Sequence, residues 1–392
     1  MSQKSTHQAR FRKLTLTDFR NYETASLDLD GRSLVLTGPN GAGKTNILEA
    51  ISMLSPGRGL RSARLDEISR RDAGRRTFWA VSAVLDTGDD EVRLGTGLDP
   101  ASATTKRVVR IDGQNASGPG ALAEYFSVVW LTPQLDRLFA EGASQRRRFL
   151  DRLVLGVDPG HASVSAAYEK AARERLKVLE RGKDGGDVDG AWLSALEEQM
   201  AGQAVALAAA RLSFVDRLIQ VIEARGDESA FPLATLQLMG VLEDALREGR
   251  PALEVEDGYL TSLKQNRAVD AAAGRTTLGP NRSDLEVTFG RTGRPAKDCS
   301  TGEQKALLIG IVLANARLKK GLAGGAPPIL LLDEIAAHLD PGRRMALFDE
   351  LEALGAQAFM TGTEPALFEG FGTRAQHAHV DNGCVTLTAP KC

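Results

Sequence analysis

The sequence predicts an α/β fold, a phosphate-loop nucleotide-binding head on a parallel sheet, its two halves split by a mostly helical insertion that forms a second lobe. Three observations predict it. Gly38-Pro39-Asn40-Gly41-Ala42-Gly43-Lys44-Thr45 fits G-x-x-x-x-G-K-[ST], between a short apolar run and an amphipathic stretch. Ile329 to Leu332 is wholly apolar and ends in Asp333-Glu334, as a central parallel strand does with acids at its C-terminal end. Between these motifs, Ser144 to Gly226 reads as helix.

Taken in order, Leu14 to Phe19 and Ala25 to Leu29 alternate apolar and polar residues like paired strands, with Asn21-Tyr22-Glu23 as the turn. Leu34-Val35-Leu36 is a short buried strand feeding the glycine-rich turn. The helix from about Lys44 places Ile47, Ile51 and Leu54 on one face. Strand-like runs follow at Phe78 to Leu85, Glu91 to Gly97, Arg107 to Asp112 and Val128 to Leu131. Leu193, Met200, Leu207, Phe214 and Val221 then recur every seven residues, an apolar seam that a partner helix over Val164 to Leu179 of the same chain would cover. Strands return at Thr235 to Met239 and Leu285 to Phe289. A helix over Gly302 to Lys319, a Gly/Pro linker, the Ile329 strand, a helix over Gly342 to Leu354 and a strand over Ala358 to Thr361 complete the chain. The expected organisation is residues 1–133 as the first half of the head, 134–280 as the helical arm, and 281–392 as the second half.

Composition narrows the function. The chain has 392 residues with a net charge of −2, so nucleic-acid binding would need a local basic face. Three cysteines without paired spacing suit a reducing compartment, and the basic, polar N-terminus does not read as a secretory signal; a cytoplasmic protein is expected. No apolar run approaches the roughly 20 residues that span a bilayer.

In the phosphate loop the glycines let backbone N–H groups wrap phosphates, the helix N-terminus adds a favourable dipole, Lys44 supplies charge to the β- and γ-phosphates, and Thr45 offers a hydroxyl to Mg²⁺. Asp333 would hold the same Mg²⁺, and Glu334 would orient or deprotonate the attacking water; taken alone, Asp333 could equally be a helix cap. ATP and Mg²⁺ are therefore the expected ligands. Cys299-Ser300-Thr301-Gly302-Glu303 resembles the ABC signature L-S-G-G-Q, with Ser300 and Gly302 matching, Cys299 and Thr301 departing, and glutamate for glutamine as in the SMC branch. It also reads as a serine cap with glutamate at the third helical position. In that class the signature reaches nucleotide held by the other subunit, so a homodimer is implied. His338-Leu339-Asp340 resembles the D-loop, Gln134 occupies the Q-loop position or is an ordinary loop glutamine, and Thr363 stands nearest to the switch position. Lys44, Ser300 and Glu334 are the expected catalytic set.

Beyond the ATPase parts, Phe19-Arg20-Asn21-Tyr22, Arg146-Arg147-Arg148-Phe149-Leu150-Asp151 and Gly279-Pro280-Asn281-Arg282-Ser283-Asp284-Leu285 appear in an order that resembles the RecF family of bacterial recombination mediators. The third segment departs mildly from the family's Gly-Pro-His-Arg pattern. The resemblance covers nearly the whole chain. It implies an ABC/SMC-like head with a short helical arm, ATP-dependent dimerisation on single- and double-stranded DNA at gaps and junctions, and slow hydrolysis. It also implies work with RecO and RecR in loading RecA, and a link to the SOS response.

Residue chemistry adds candidate DNA contacts: Arg58, Arg61 and Arg64, then Arg70, Arg71, Arg75 and Arg76, then Arg146, Arg147 and Arg148. The same arginines could instead be solvated or paired with Asp66, Glu67 and Asp72. Two other functions remain open on sequence: an ATPase subunit of a membrane transporter, which does not account for the helical insertion, and an ATP-binding scaffold without turnover, which Glu334 disfavours.

Overall fold

The computed structural model describes residues 9–71, 77–88, 90–101, 105–183, 189–226, 229–290, 292–322 and 325–388. They form two compact units, one of residues 1–136 with 308–392 and one of residues 137–307.

The first unit carries two six-stranded sheets. One is antiparallel, ordered Tyr22–Asp28, Arg10–Phe19, Ala80–Asp86, Glu91–Leu98, Arg107–Ile111 and Gln114–Asn115. The other is ordered Cys384–Thr388, Ala375–Asp381, Ser33–Thr37, Ala358–Gly362, Ile329–Leu332 and Val128–Leu131, parallel throughout except for the Cys384 edge strand. Every residue of Ser33–Thr37, Ala358–Gly362 and Ile329–Leu332 is buried, as expected of parallel strands covered on both faces. The strand Ala358–Gly362 therefore lies between the strand that feeds the phosphate loop and the strand that ends in the acids.

The two sheets share a core. Phe11 packs edge-on against Phe126 and Phe359, with ring centroids 5.2 and 6.0 Å apart. Gln357 ties them with polar contacts: its Oε1 accepts from the Phe11 N–H at 2.7 Å, and its Nε2 donates to the carbonyls of Phe11 and Arg32. A buried amide bonded in this way satisfies strand ends that apolar packing could not.

The second unit is mainly helical: Ala143–Val157, His161–Lys183, Gly190–Ala224, Val241–Arg247, Ala252–Gln265 and Arg267–Ala273. The seam on Gly190–Ala224 is real, with Leu193, Met200, Leu207 and Phe214 buried. The partner helix is the expected one; Tyr168 and Ala171 share a core with Met200, Ala204 and Leu207. The C-terminal boundary differs from the expected one at 281. Asp284–Phe289 pairs antiparallel with Ala234–Met239, and that pairing keeps residues 281–307 in the second unit. The helix Thr301–Gly321 starts in the second unit and runs into the first.

Among the described residues, no helix is long and apolar enough to cross a membrane.

Candidate nucleotide site

The strand Ser33–Thr37 ends at the phosphate loop, and the helix Lys44–Met53 begins after the loop's last glycine, Gly43, its N-cap. Gly43, at φ 117°, needs glycine on two counts: its backbone is left-handed, and a Cβ there would lie 2.6 Å from Asn21 Nδ2 and 2.7 Å from the Tyr22 hydroxyl. Asn21 supports the loop from below. Its Nδ2 donates to the Ala42 carbonyl at 2.9 Å, and its Oδ1 accepts from Asn46 Nδ2 at 2.7 Å. The neighbouring Arg20 pairs at 2.6 Å with Glu49, whose side chain is buried in the phosphate-loop helix. The Phe19–Tyr22 segment thus braces both the loop and the helix behind it.

Lys44 is buried, and its Nζ donates to the carbonyls of Gly38 and Pro39 at 2.6 and 2.8 Å. Burial lowers its pKa from the usual lysine value, while Glu334 and Asp333 pull it back up. Thr45 faces the acid strand; its hydroxyl lies 2.9 Å from Asp333 Oδ1 and 3.1 Å from Oδ2. The hydroxyl and carboxylate expected to hold Mg²⁺ therefore meet, although 288 positions separate them. Glu334 follows in the left-handed region at φ 50°, an unusual conformation for a residue with a side chain.

Sequence reasoning missed a third group. Thr361, fully buried at the end of Ala358–Gly362, donates its hydroxyl to Asp333 Oδ1 at 2.7 Å and accepts the Glu334 N–H at 2.9 Å. Thr363, expected nearest to the switch position, lies exposed two residues beyond. A signal was present: Thr361 is the polar residue on the otherwise apolar run Ala358-Phe359-Met360, at the strand end where parallel sheets place ligands.

A polar pocket of about 540 Å³ opens beside the loop, lined by Arg20, Asn21, Asn46, Glu67, Arg70 and Arg71 among others. Gln134 is exposed on the short turn that follows Val128–Leu131. Asp340 is also exposed. It caps the helix Pro341–Leu354 by accepting from the Arg343 N–H at 2.9 Å, and that bond lowers its pKa.

In the second unit Ser300 closes a capping box. Its N–H and hydroxyl both donate to Glu303 Oε2 at 2.8 Å, and the Glu303 N–H returns to the Ser300 oxygen at 3.3 Å. Hydrogen bonds from Ser300 lower the Glu303 pKa, and Arg294 pairs with the same carboxylate at 2.7 Å. Gly302 sits in the first turn of that helix.

The arginine candidates divide. Arg61 is taken up inside the first unit by Glu49 at 2.8 Å and Asn46 at 2.7 Å, so it is not a free phosphate contact. Arg146 is likewise committed to Asp284, with both bonds at 2.7 Å, and Arg147 donates to the Ser283 carbonyl at 2.6 Å. Arg64 meets Asp66 at 3.2 Å but stays largely exposed. Arg58 and Arg148 are exposed. Arg75, Arg76 and Asp72 lie outside the described residues. An unforeseen arginine, Arg107, closes the C-terminus of the phosphate-loop helix; it donates to the carbonyls of Met53, Ser55 and Gly57, and burial lowers its pKa to about 10. It thereby fixes the loop that presents Arg58.

Residues 10–386 match the family described as the RecF/RecN/SMC N terminal domain. The DNA replication and repair protein RecF of Rhizobium leguminosarum bv. trifolii is 49% identical over 96% of this chain and 98% of that protein. RecF of Agrobacterium fabrum is 48% identical over 97% and 99%. A solved structure described as the recombination mediator protein RecF with ATP, in the RecFOR pathway, superposes with a TM-score of 0.83 at 20% identity, covering 99% of this chain and 100% of that one. The Smc head domain of Pyrococcus furiosus, with an extended coiled coil, gives 0.54 at 15% identity, covering 97% and 96%. At these identities the structural likeness speaks for the fold.

Proposed function

The chain belongs to the RecF family of DNA replication and repair proteins, and from that premise we propose that it is an ATP-gated DNA-binding recombination mediator that dimerises on DNA and hydrolyses ATP slowly. In this reading it acts at gaps and stalled forks with RecO and RecR to load RecA. The observation that carries the ATPase part is the meeting of Thr45, from the phosphate-loop helix, with Asp333 at the end of a strand 288 positions away, where Asp333 and Glu334 both act on the Lys44 charge.

Each group has a task in hydrolysis. The loop N–H groups and Lys44 bind the β- and γ-phosphates; Lys44 exchanges its two carbonyl partners for phosphate oxygens. Thr45 and Asp333 would hold Mg²⁺, which neutralises developing charge on the phosphates. Among the described residues no group of three or more His, Cys, Asp or Glu side chains could hold a metal alone. The hydroxyl of Thr45 and the carboxylate of Asp333 are hard oxygen donors that would suit Mg²⁺. Glu334 holds the attacking water and accepts its proton. The polar pocket beside Asn21 and Asn46 suits the ribose and base. Ser300 serves the nucleotide of a partner subunit, with Asp340 and Gln134 at the rim. Arg58 and Arg148, exposed, are the cations best placed for DNA phosphates.

The test is ATP turnover and DNA binding by the whole chain on gapped and plain duplex DNA, with and without ATP. Tighter ATP-dependent binding to gapped DNA and DNA-stimulated turnover are expected. Turnover indifferent to DNA would favour a transporter role, and ATP binding without turnover a scaffold.

A further inference from the structure

We propose that Thr361 is the positioning residue of the nucleotide site, and that its single hydroxyl sets both the Asp333 carboxylate and the backbone that aims Glu334. This rests on the ATPase reading above and adds a residue that neither the phosphate loop nor the acid pair supplies.

The geometry comes from the sheet. The strand Ala358–Gly362 runs parallel between Ser33–Thr37 and Ile329–Leu332, with Thr361 opposite Leu36 and Met360 opposite Leu332. Thr361 therefore stands at the strand ends, between the phosphate loop and the acids, and is fully buried. A hydroxyl has one proton to give and lone pairs to receive. Here the proton goes to Asp333 Oδ1 at 2.7 Å, and a lone pair takes the Glu334 N–H at 2.9 Å.

Both partners need such support. Asp333 Oδ1 is shared by two hydroxyls, those of Thr45 and Thr361. When Thr45 turns toward a cation, Thr361 still holds the carboxylate in its rotamer, as an outer-shell partner holds a metal ligand. Glu334 stands at φ 50°, ψ 32°, a left-handed conformation that is unfavourable for a non-glycine residue. Its N–H is received by Thr361 where the strand ladder has ended. Loss of that bond releases the left-handed turn, and with it the direction of the Glu334 side chain. One hydroxyl thus couples cation binding to the placement of the base.

Thr361→Val keeps the branched shape and removes the hydroxyl; Thr361→Ser keeps the hydroxyl and removes a methyl. Two readouts separate positioning from plain structure. The first is fluorescent-nucleotide binding titrated with Mg²⁺ and repeated without metal. The second is kcat against KM for ATP turnover on DNA. For Thr361→Val, the Mg²⁺ concentration for half-maximal binding should rise and kcat should fall, each by roughly 10- to 100-fold. Metal-free nucleotide binding should stay unchanged, and Thr361→Ser should restore both. Should the valine variant not fold, Thr361→Ala replaces it in the same assays. Wild-type Mg²⁺ dependence and kcat in a hydroxyl-free variant would overturn the proposal. So would equal loss of metal-free binding, or a serine variant as impaired as the valine one. If wild-type protein binds no ATP, the ATPase reading fails instead.

Discussion

Lys44 is held by two carbonyl oxygens of its own loop, Gly38 and Pro39, which stand where phosphate oxygens would take over. Removing the ammonium breaks two bonds that lie within the loop itself, a local cost to the fold. It removes charge-assisted bonds to nucleotide worth about 3 kcal/mol, or roughly a hundredfold in Kd. Lys44→Ala should therefore unfold at the wild-type temperature while losing ATP binding in a nucleotide titration; wild-type affinity would reassign the loop. Glu334→Gln keeps size and hydrogen bonding but loses the proton acceptor, so nucleotide binding should survive while kcat drops about 100-fold or more. Single-turnover hydrolysis reads this directly, and normal turnover would place the base elsewhere. At this scale the sequence spoke clearly wherever spacing carries chemistry. Gly38 to Thr45 and Asp333-Glu334 are such spacings, and both lie where expected. Thr361 left only a polar residue at the end of an apolar run as its signal; its role comes from strand order, because only the sheet places it between two motifs that lie nearly 300 positions apart. Arg61 and Arg146 stood as candidate DNA contacts for the same reason, since their partners Glu49 and Asp284 are brought by folding and are not the acids expected from sequence.

At the scale of elements, hydrophobic periodicity reported apolar faces faithfully and charged cores not at all. The seam on Gly190–Ala224 was readable every seventh residue from Leu193 to Phe214, although Val221 is only half-buried, and the partner expected over Val164 to Leu179 is His161–Lys183. Yet the same helices bury Arg175, which pairs with Glu197 at 3.0 Å and Asp270 at 2.6 Å, all three inaccessible or nearly so. To a pattern search these are surface residues. A second such network joins two of the segments that carry the family resemblance. Asp151 takes both Arg211 Nε and Nη2, at 2.8 and 2.9 Å, while Arg211 Nη1 donates to the Pro280 carbonyl at 2.7 Å and His161 Nε2 lies 2.9 Å from Asp151. Burial alone would raise the Asp151 pKa, but hydrogen bonds from His161 and Arg211 outweigh it and hold the carboxyl below its usual range. A depressed acid binds fewer protons folded than unfolded, so its stabilisation is present above about pH 4 and is lost as pH falls through the folded value. Asp151→Asn strips buried Arg211 of its hydrogen-bonded counter-charge, with Glu243 left at 3.8 Å, and should cost about 3 kcal/mol at neutral pH. In urea titrations the gap between variant and wild type should shrink as pH drops below about 4. A gap that does not change with pH would mean that shape, and not charge, holds these helices.

On the scale of the whole molecule, the boundary that sequence placed near residue 281 falls instead within the helix Thr301–Gly321. Ser300 thus belongs to the compact unit that does not contain Lys44. The sequence could not show this, since a strand such as Asp284–Phe289 looks the same whichever sheet it joins. The serine's donors are also occupied: its N–H and hydroxyl both serve Glu303, itself paired with Arg294. A phosphate reaching Ser300 from a partner subunit must take over these donors, and a dianion at a helix N-terminus is favoured to do so. Ser300→Arg should therefore bind ATP in the monomer and fail to dimerise productively, because a bulky side chain fills the approach. Mixing it with Lys44→Ala makes the composite site testable. In a mixed dimer one site joins the intact Lys44 of one chain to the intact Ser300 of the other, and the second site carries both defects. Some DNA-stimulated ATPase activity should return on mixing although each variant alone is inactive, at less than half the wild-type rate if the two sites fire together. Mixed dimers that form on DNA yet hydrolyse nothing leave two explanations, strict coupling of the sites or nucleotide that Ser300 never touches. A photocrosslink from position 300 to nucleotide bound by a tagged partner separates them: label on the partner's nucleotide keeps the shared site, and label only within the same chain ends it.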